Sequence, residues 1–138
     1  MNYEEYEKLC KLQQDKNDEY LDIFKKDLME SGLSQKTIRK HLKNVIFYIN
    51  IYLLRLEPLE METGCGDKID MFLGYYFIHK CMWSTPSTIK TTAASIKKFY
   101  KSMNEHGYIS KDKYKYLCDI IKENMETWQA DCEAFNNY

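Results

Sequence analysis

Apolar residues recur three, four and seven positions apart along most of the chain, the spacing of helices that bury one side. Tyr3, Tyr6, Leu9 and Cys10 share one side of a first helix that should run to about Gln14 and be interrupted or bent around "DKND". Leu21, Phe24 and Leu28 mark a second helix through "DEYLDIFKKDLMES". In "SGLSQKT", Gly32 offers a left-handed stop and Ser34 the next N-cap, so a tight corner between helices is predicted there.

The third helix should run from Gln35 to about Leu56. Ile38, Leu42, Val45, Ile49, Leu53 and Leu56 form its apolar stripe, with Lys36, Arg39, Lys40 and Lys43 on the opposite side. Past Phe47 the opposite side turns apolar too, with Phe47, Ile51 and Leu54, which reads as core. "EPLEMETGCGDK" is a loop carrying Pro58, Gly64 and Gly66. A short helix from Lys68 to about Met82 should bury Ile69, Phe72, Leu73, Tyr76 and Phe77. Ser84 or Thr85 then caps a helix that begins at Pro86, where a missing N–H is harmless. Its stripe is Ile89, Ala93, Ile96, Tyr100 and Met103; Lys90, Lys97, Lys98 and Lys101 lie to the other side, with Thr91 and Ser95 beside them. A last, acidic helix from about Lys111 through Phe135 carries Leu117, Ile121, Trp128, Cys132 and Phe135 at heptad-like intervals, suited to docking on the body or to pairing with another helix.

Composition agrees with an all-α fold. The chain has 138 residues, 44% of them hydrophobic, but only five Gly and two Pro, too few breakers for a sheet with its many turns. That length makes one domain the expectation. The most apolar run, Val45 to Leu56, is interrupted by Asn50 and Arg55 and is too short for a membrane span. "MNYEEYEKLC" lacks the apolar core of a signal peptide. Five cysteines form no C-x-x-C pair, and the histidines are not spaced to join them, so free thiols in a reducing cytoplasm are expected, with no zinc site and no cofactor. His79 reads as a packed or hydrogen-bonded histidine. Asp67 and Asp70 read as helix N-terminal charges and not as an acid/base couple. No Gly-rich phosphate loop or nucleophile elbow is present, so no enzyme is expected.

Charge changes the picture through its distribution. The net value is −1, yet Ser34–Leu56 carries Lys36, Arg39, Lys40, Lys43 and Arg55 with no acid, and Ser84–Asn104 carries four lysines with no acid. A helix that presents ammonium groups beside Ser and Thr is chemically suited to a phosphate backbone. The hydroxyls of "STPSTIKTTAAS" have two readings: they bond phosphates, or they bond back to the preceding turn and allow close packing.

The order of these pieces, "FKKDLMESGLSQKTI", a long helix, an acidic loop, "FLGYYF", then "STPSTIKTTAASIKKFYKSMNEHGYI", resembles the amino-terminal core-binding domain of tyrosine recombinases, the phage integrase family, over about Leu21 to Ile121. The resemblance implies a SAM-like bundle of four to five helices, half of a clamp around double-stranded DNA. Its expected extent is 18–122, with helical extensions 1–17 and 123–138. It implies backbone contacts by Lys36, Thr37, Lys40 and Lys43 on one helix and by Thr88, Lys90, Thr91, Lys97 and Lys98 on another, in a setting of DNA integration and recombination.

Integrase catalysis belongs to a second domain that uses Arg, Lys, an H-x-x-R box and a tyrosine nucleophile. Here there are only Arg39 and Arg55, and none of His41, His79 or His106 has Arg three residues on. Tyr138 reads as an ordinary terminus. A non-catalytic DNA-binding domain is therefore expected. The competing expectation is an interaction module that self-associates through Leu117, Ile121, Trp128 and Phe135. The acids Asp119, Glu123, Glu126, Asp131 and Glu133 would have to point away from any DNA.

Overall fold

The computed structural model describes residues 1–137, and all regular structure among them is helical. The all-α expectation holds. Tyr138 lies outside the described residues. The chain divides into two compact units, Met1–Gly64 and Cys65–Tyr138. That division falls inside the segment 18–122 expected as a single core.

The first unit opens with α1, Tyr3–Glu30, capped by Asn2, whose side chain accepts from the Glu5 N–H at 2.9 Å. Leu21, Phe24 and Leu28 are buried as expected, whereas Tyr3 and Leu9 are exposed. The helix does not break at "DKND". Lys11 and Asp15 pair at 3.0 Å across one turn, and Gln13 donates to Asn17 Oδ1 at 3.1 Å. Asn17 is buried, and its amide donates to Ile49 O at 3.3 Å and to Asn50 Oδ1 at 2.8 Å. The polar residues that read as an interruption are thus a tertiary clasp, and with no Gly or Pro among them nothing stops the helix.

Gly32, at φ +76°, makes the expected corner, and Ser34 caps α2, Gln35–Ile46. The rod continues as a π-type segment, Phe47–Tyr52. There the Leu53 N–H bonds five residues back to Tyr48 O at 2.9 Å, which leaves the Ile49 carbonyl for Asn17. The wider turn rotates the following side chains. Tyr48, Ile49, Tyr52, Leu53 and Leu54 are buried, while Ile51 is exposed and Leu56, assigned to the stripe by regular spacing, is 76% exposed. The helix accordingly ends before Leu56. A 3-10 turn, Met61–Gly64, closes the unit, and Gly64 O accepts from the Tyr48 hydroxyl at 2.7 Å.

In the second unit α3, Lys68–Met71, a π-type turn, Phe72–Tyr76, and α4, Phe77–Lys80, follow without interruption. Ile69, Phe72, Leu73 and Phe77 are buried and Tyr76 is half-buried, close to expectation. α5, Pro86–Glu105, starts at Thr85, which forms a capping box with Thr88. Gly107, at φ +85°, reverses the chain, and the Tyr108 N–H returns to Met103 O at 2.9 Å. α6, Lys111–Asn136, then runs back along α5: Gln129 Nε2 donates to Pro86 O at 3.0 Å and Asn136 Nδ2 to Ser84 O at 2.8 Å.

α6 is also tied to α3. The Trp128 indole donates to Asp70 Oδ1 at 2.7 Å, and the Tyr116 hydroxyl donates to Asp67 Oδ1. Asp67 and Asp70 do stand at the start of α3, as its N-cap residue and in its first turn, and they also anchor aromatic donors. Leu117, Trp128 and Cys132, expected at a helix-pairing stripe, are buried; Ile121 is half-buried, and Phe135 alone of that set is exposed, at 46%. Most of the stripe assigned to self-association is thus spent within the chain.

Candidate nucleic-acid interface

Each unit presents one basic helix face, and each is described by itself. On α5 the expected stripe of Ile89, Ala93, Ile96, Tyr100 and Met103 is wholly buried. With Ile89 as zero and about 100° per residue, the exposed residues fall within an arc from about 80° to 200°. That arc holds Ser87, Lys90, Thr91, Ala94, Lys97, Lys98 and Lys101, and carries no acid until Glu105 at the helix end. Lys90 to Lys101 spans roughly 16 Å of helix axis. Among the described residues no carboxylate lies within ion-pairing distance of these four lysines. All four are exposed.

The neighbouring hydroxyls are mostly committed. The Thr88 hydroxyl donates to Thr85 O at 3.0 Å and accepts from the Thr85 N–H at 2.7 Å. Thr91 donates to Thr88 O at 3.2 Å and Ser95 to Thr91 O at 3.2 Å. A phosphate oxygen needs a donor, and these hydroxyl hydrogens already have backbone acceptors. Ser95, placed beside the lysines by the sequence, is buried. Lys101, left out of the expected contact set, stands in the arc with the others; its helical angle alone was enough to include it.

On α2 the arc opposite Ile38 holds Lys36, Arg39, Lys40 and Lys43, all exposed and likewise without an ion pair among the described residues. Thr37 is half-buried, its N–H bonding Ser34 Oγ at 3.2 Å and its hydroxyl accepting from Ser34 at 3.0 Å. Arg55 is engaged locally: its guanidinium lies 4.0 Å from the Tyr52 ring centroid and donates to Tyr52 O at 3.0 Å.

Around α6 from Leu117, Gln129 and Asn136, which bond Pro86 O and Ser84 O, stand at about 100–120°, Asp119, Glu123 and Glu126 at about 180–240°, Glu133 at about 160° and Asp131 at about 320°. Among the described residues none of these acids pairs with an α5 lysine.

Among the described residues no group of three or more His, Cys, Asp or Glu could hold a metal ion. His79 is exposed; its Nδ1 is 2.9 Å from Tyr75 O and its ring stacks on Tyr75 at 4.2 Å, the hydrogen-bonded state expected of it. Cys65, Cys81 and Cys132 are buried and form no disulfide, and burial pushes the Cys81 thiol up to about 11. Among the described residues no helix is long and apolar enough to cross a membrane.

These features define an all-α chain with an acid-free lysine face on a capped helix. No family model, curated protein or solved structure matches it.

Proposed function

We propose that the chain is a non-catalytic DNA-binding module of the tyrosine-recombinase core-binding kind, working in the cytoplasm and gripping the phosphate backbone. The observation that carries this reading is the α5 face: four exposed lysines in one arc, none paired with a carboxylate among the described residues. Backbone contacts fix position and carry little sequence information, so binding is strong at low salt and weakly selective. Lys36, Lys40 and Lys43 on α2 offer the same chemistry in the first unit.

Salt dependence of binding to a generic labelled duplex tests it. Four phosphate contacts from one face give a log–log slope of about −4. The Lys97→Glu/Lys98→Glu variant should reduce both affinity and slope; unchanged binding in that variant defeats the reading.

A second reading, a protein-interaction module, is favoured by the ring cluster of Tyr75, His79 and Phe135, in which His79 lies 4.2 Å from one ring and 4.5 Å from the other. Its signature is concentration-dependent sedimentation that Phe135→Ser abolishes, without any binding to DNA.

A further inference from the structure

The turn between α4 and α5, "CMWS", combines firm anchoring with apolar display. Ser84 is buried; its N–H bonds Cys81 O at 3.1 Å, its hydroxyl donates to Ile78 O at 3.3 Å, and its carbonyl accepts from Asn136 at 2.8 Å. The Trp83 ring meets Phe77 edge-on at 6.4 Å. Between these anchors Met82 is 100% exposed and Trp83 is 58% exposed.

A loop that merely connects two helices gains nothing by holding two large apolar side chains in water, and each would be more stable covered. A fixed backbone also removes most of the ordering cost of using them in a contact. The turn leads directly into the capping box of α5, and the exposed arc begins within one turn, at Ser87 and Lys90. Chemistry of one sign therefore adjoins an apolar tip. Lysines attract a polyanion, and the polyanion whose monomers also carry flat apolar faces is nucleic acid.

We infer that Met82 and Trp83 form a wedge that takes the exposed face of an unstacked base, at a gap or flexible step of the nucleic acid whose backbone the α5 lysines hold. This rests on the function proposed above and adds to it a preferred substrate: duplex with an accessible base, over intact duplex. Apolar wedges entering between bases are known to work with cationic backbone contacts, because partial unstacking is offset by the new contact.

Fluorescein-labelled duplexes, one intact and one lacking a single nucleotide, test the wedge with the full chain. The gapped duplex should bind about tenfold tighter, within the range that one stacked base contributes. It should also quench tryptophan emission in the wild type but not in Trp83→Phe, which keeps a ring against Phe77 and leaves Trp128 as the reporter. Met82→Ser, at a fully exposed position, should lower the preference for the gap without changing affinity for intact duplex. Equal affinity for both duplexes with no quenching overturns the wedge, and if Lys97→Glu/Lys98→Glu still weakens that binding, the backbone reading stands alone. Absence of binding to either duplex at low salt overturns both.

Discussion

The Trp128 indole nitrogen lies 2.7 Å from Asp70 Oδ1, joining the middle of α6 to the start of the α3–α4 rod. Trp128 is 1% exposed, so its N–H has no water to fall back on. Gly74 makes the approach possible: a Cβ there would stand 2.8 Å from Trp128 Cδ1 and 2.9 Å from Nε1. Gly74→Ala should destabilise the protein by about 1–3 kcal/mol through overpacking, unless the indole shifts and loses its bond to Asp70. Asp70→Ala should cost about 1–3 kcal/mol by leaving the donor unsatisfied, and Asp70→Asn, which keeps an acceptor, clearly less. Urea unfolding followed by tryptophan fluorescence in a Trp83→Phe background, which leaves Trp128 as the reporter, measures all three.

The clasp in the first unit makes a parallel claim. Asn17 supplies the partner for an Ile49 carbonyl that the π-type turn releases. Asn17→Leu, similar in size but without the amide, should destabilise by about 1–3 kcal/mol because that carbonyl and Asn50 lose their donor. The same substitution should shorten amide-exchange protection around Phe47–Tyr52, read by hydrogen exchange. Unchanged protection there would mean that the π-type turn holds without Asn17.

Cys81 ties stability to alkaline pH. Burial raises its thiol from the ordinary value of 9.0 to about 11. Between these values the unfolded chain has lost a proton that the folded chain keeps, so stability is fully present below about pH 9 and falls as pH rises through about 11. Cys81→Ala should flatten the decline by one proton's worth of slope, seen by denaturant midpoints across that range. At pH 8 the buried thiols Cys65, Cys81 and Cys132 should react with a thiol reagent more slowly than the half-buried Cys10 and Cys118.

What could be read in the sequence was whatever depends on regular periodicity. The α5 stripe, the Thr85–Pro86 start and the Gly32 corner were legible because each follows from local spacing or backbone preference. The π-type turn at Phe47–Tyr52 was not, since local spacing does not show the tertiary partner, Asn17, that meets its Ile49 carbonyl, and Leu56 lies exposed beyond it. The same long-range bond hid the continuity of α1. At the candidate interface the lysines were legible from helical angle, while the use of the hydroxyls depended on bonds that no spacing reveals.

Those hydroxyls separate backbone structure from phosphate contact. Thr88 closes the α5 cap, so Thr88→Val should lower stability by about 1 kcal/mol, the usual effect of losing a capping interaction. Thr91 is exposed and spends its hydroxyl on Thr88 O at 3.2 Å, a bond the helix does not need. Thr91→Ala should therefore stabilise α5 by up to about 0.7 kcal/mol, because Ala has the higher helix propensity. If the lysines alone meet the backbone, that substitution leaves DNA affinity within about twofold, whereas a hydroxyl that turns outward to bond a phosphate would lose about one neutral-to-charged hydrogen bond, roughly 1.5–3 kcal/mol. Thermal unfolding and duplex titration of the same variant read the two quantities side by side. A stabler protein with unchanged binding assigns the Ser and Thr of this helix to its own backbone, and a stabler protein with tenfold weaker binding returns Thr91 to the interface.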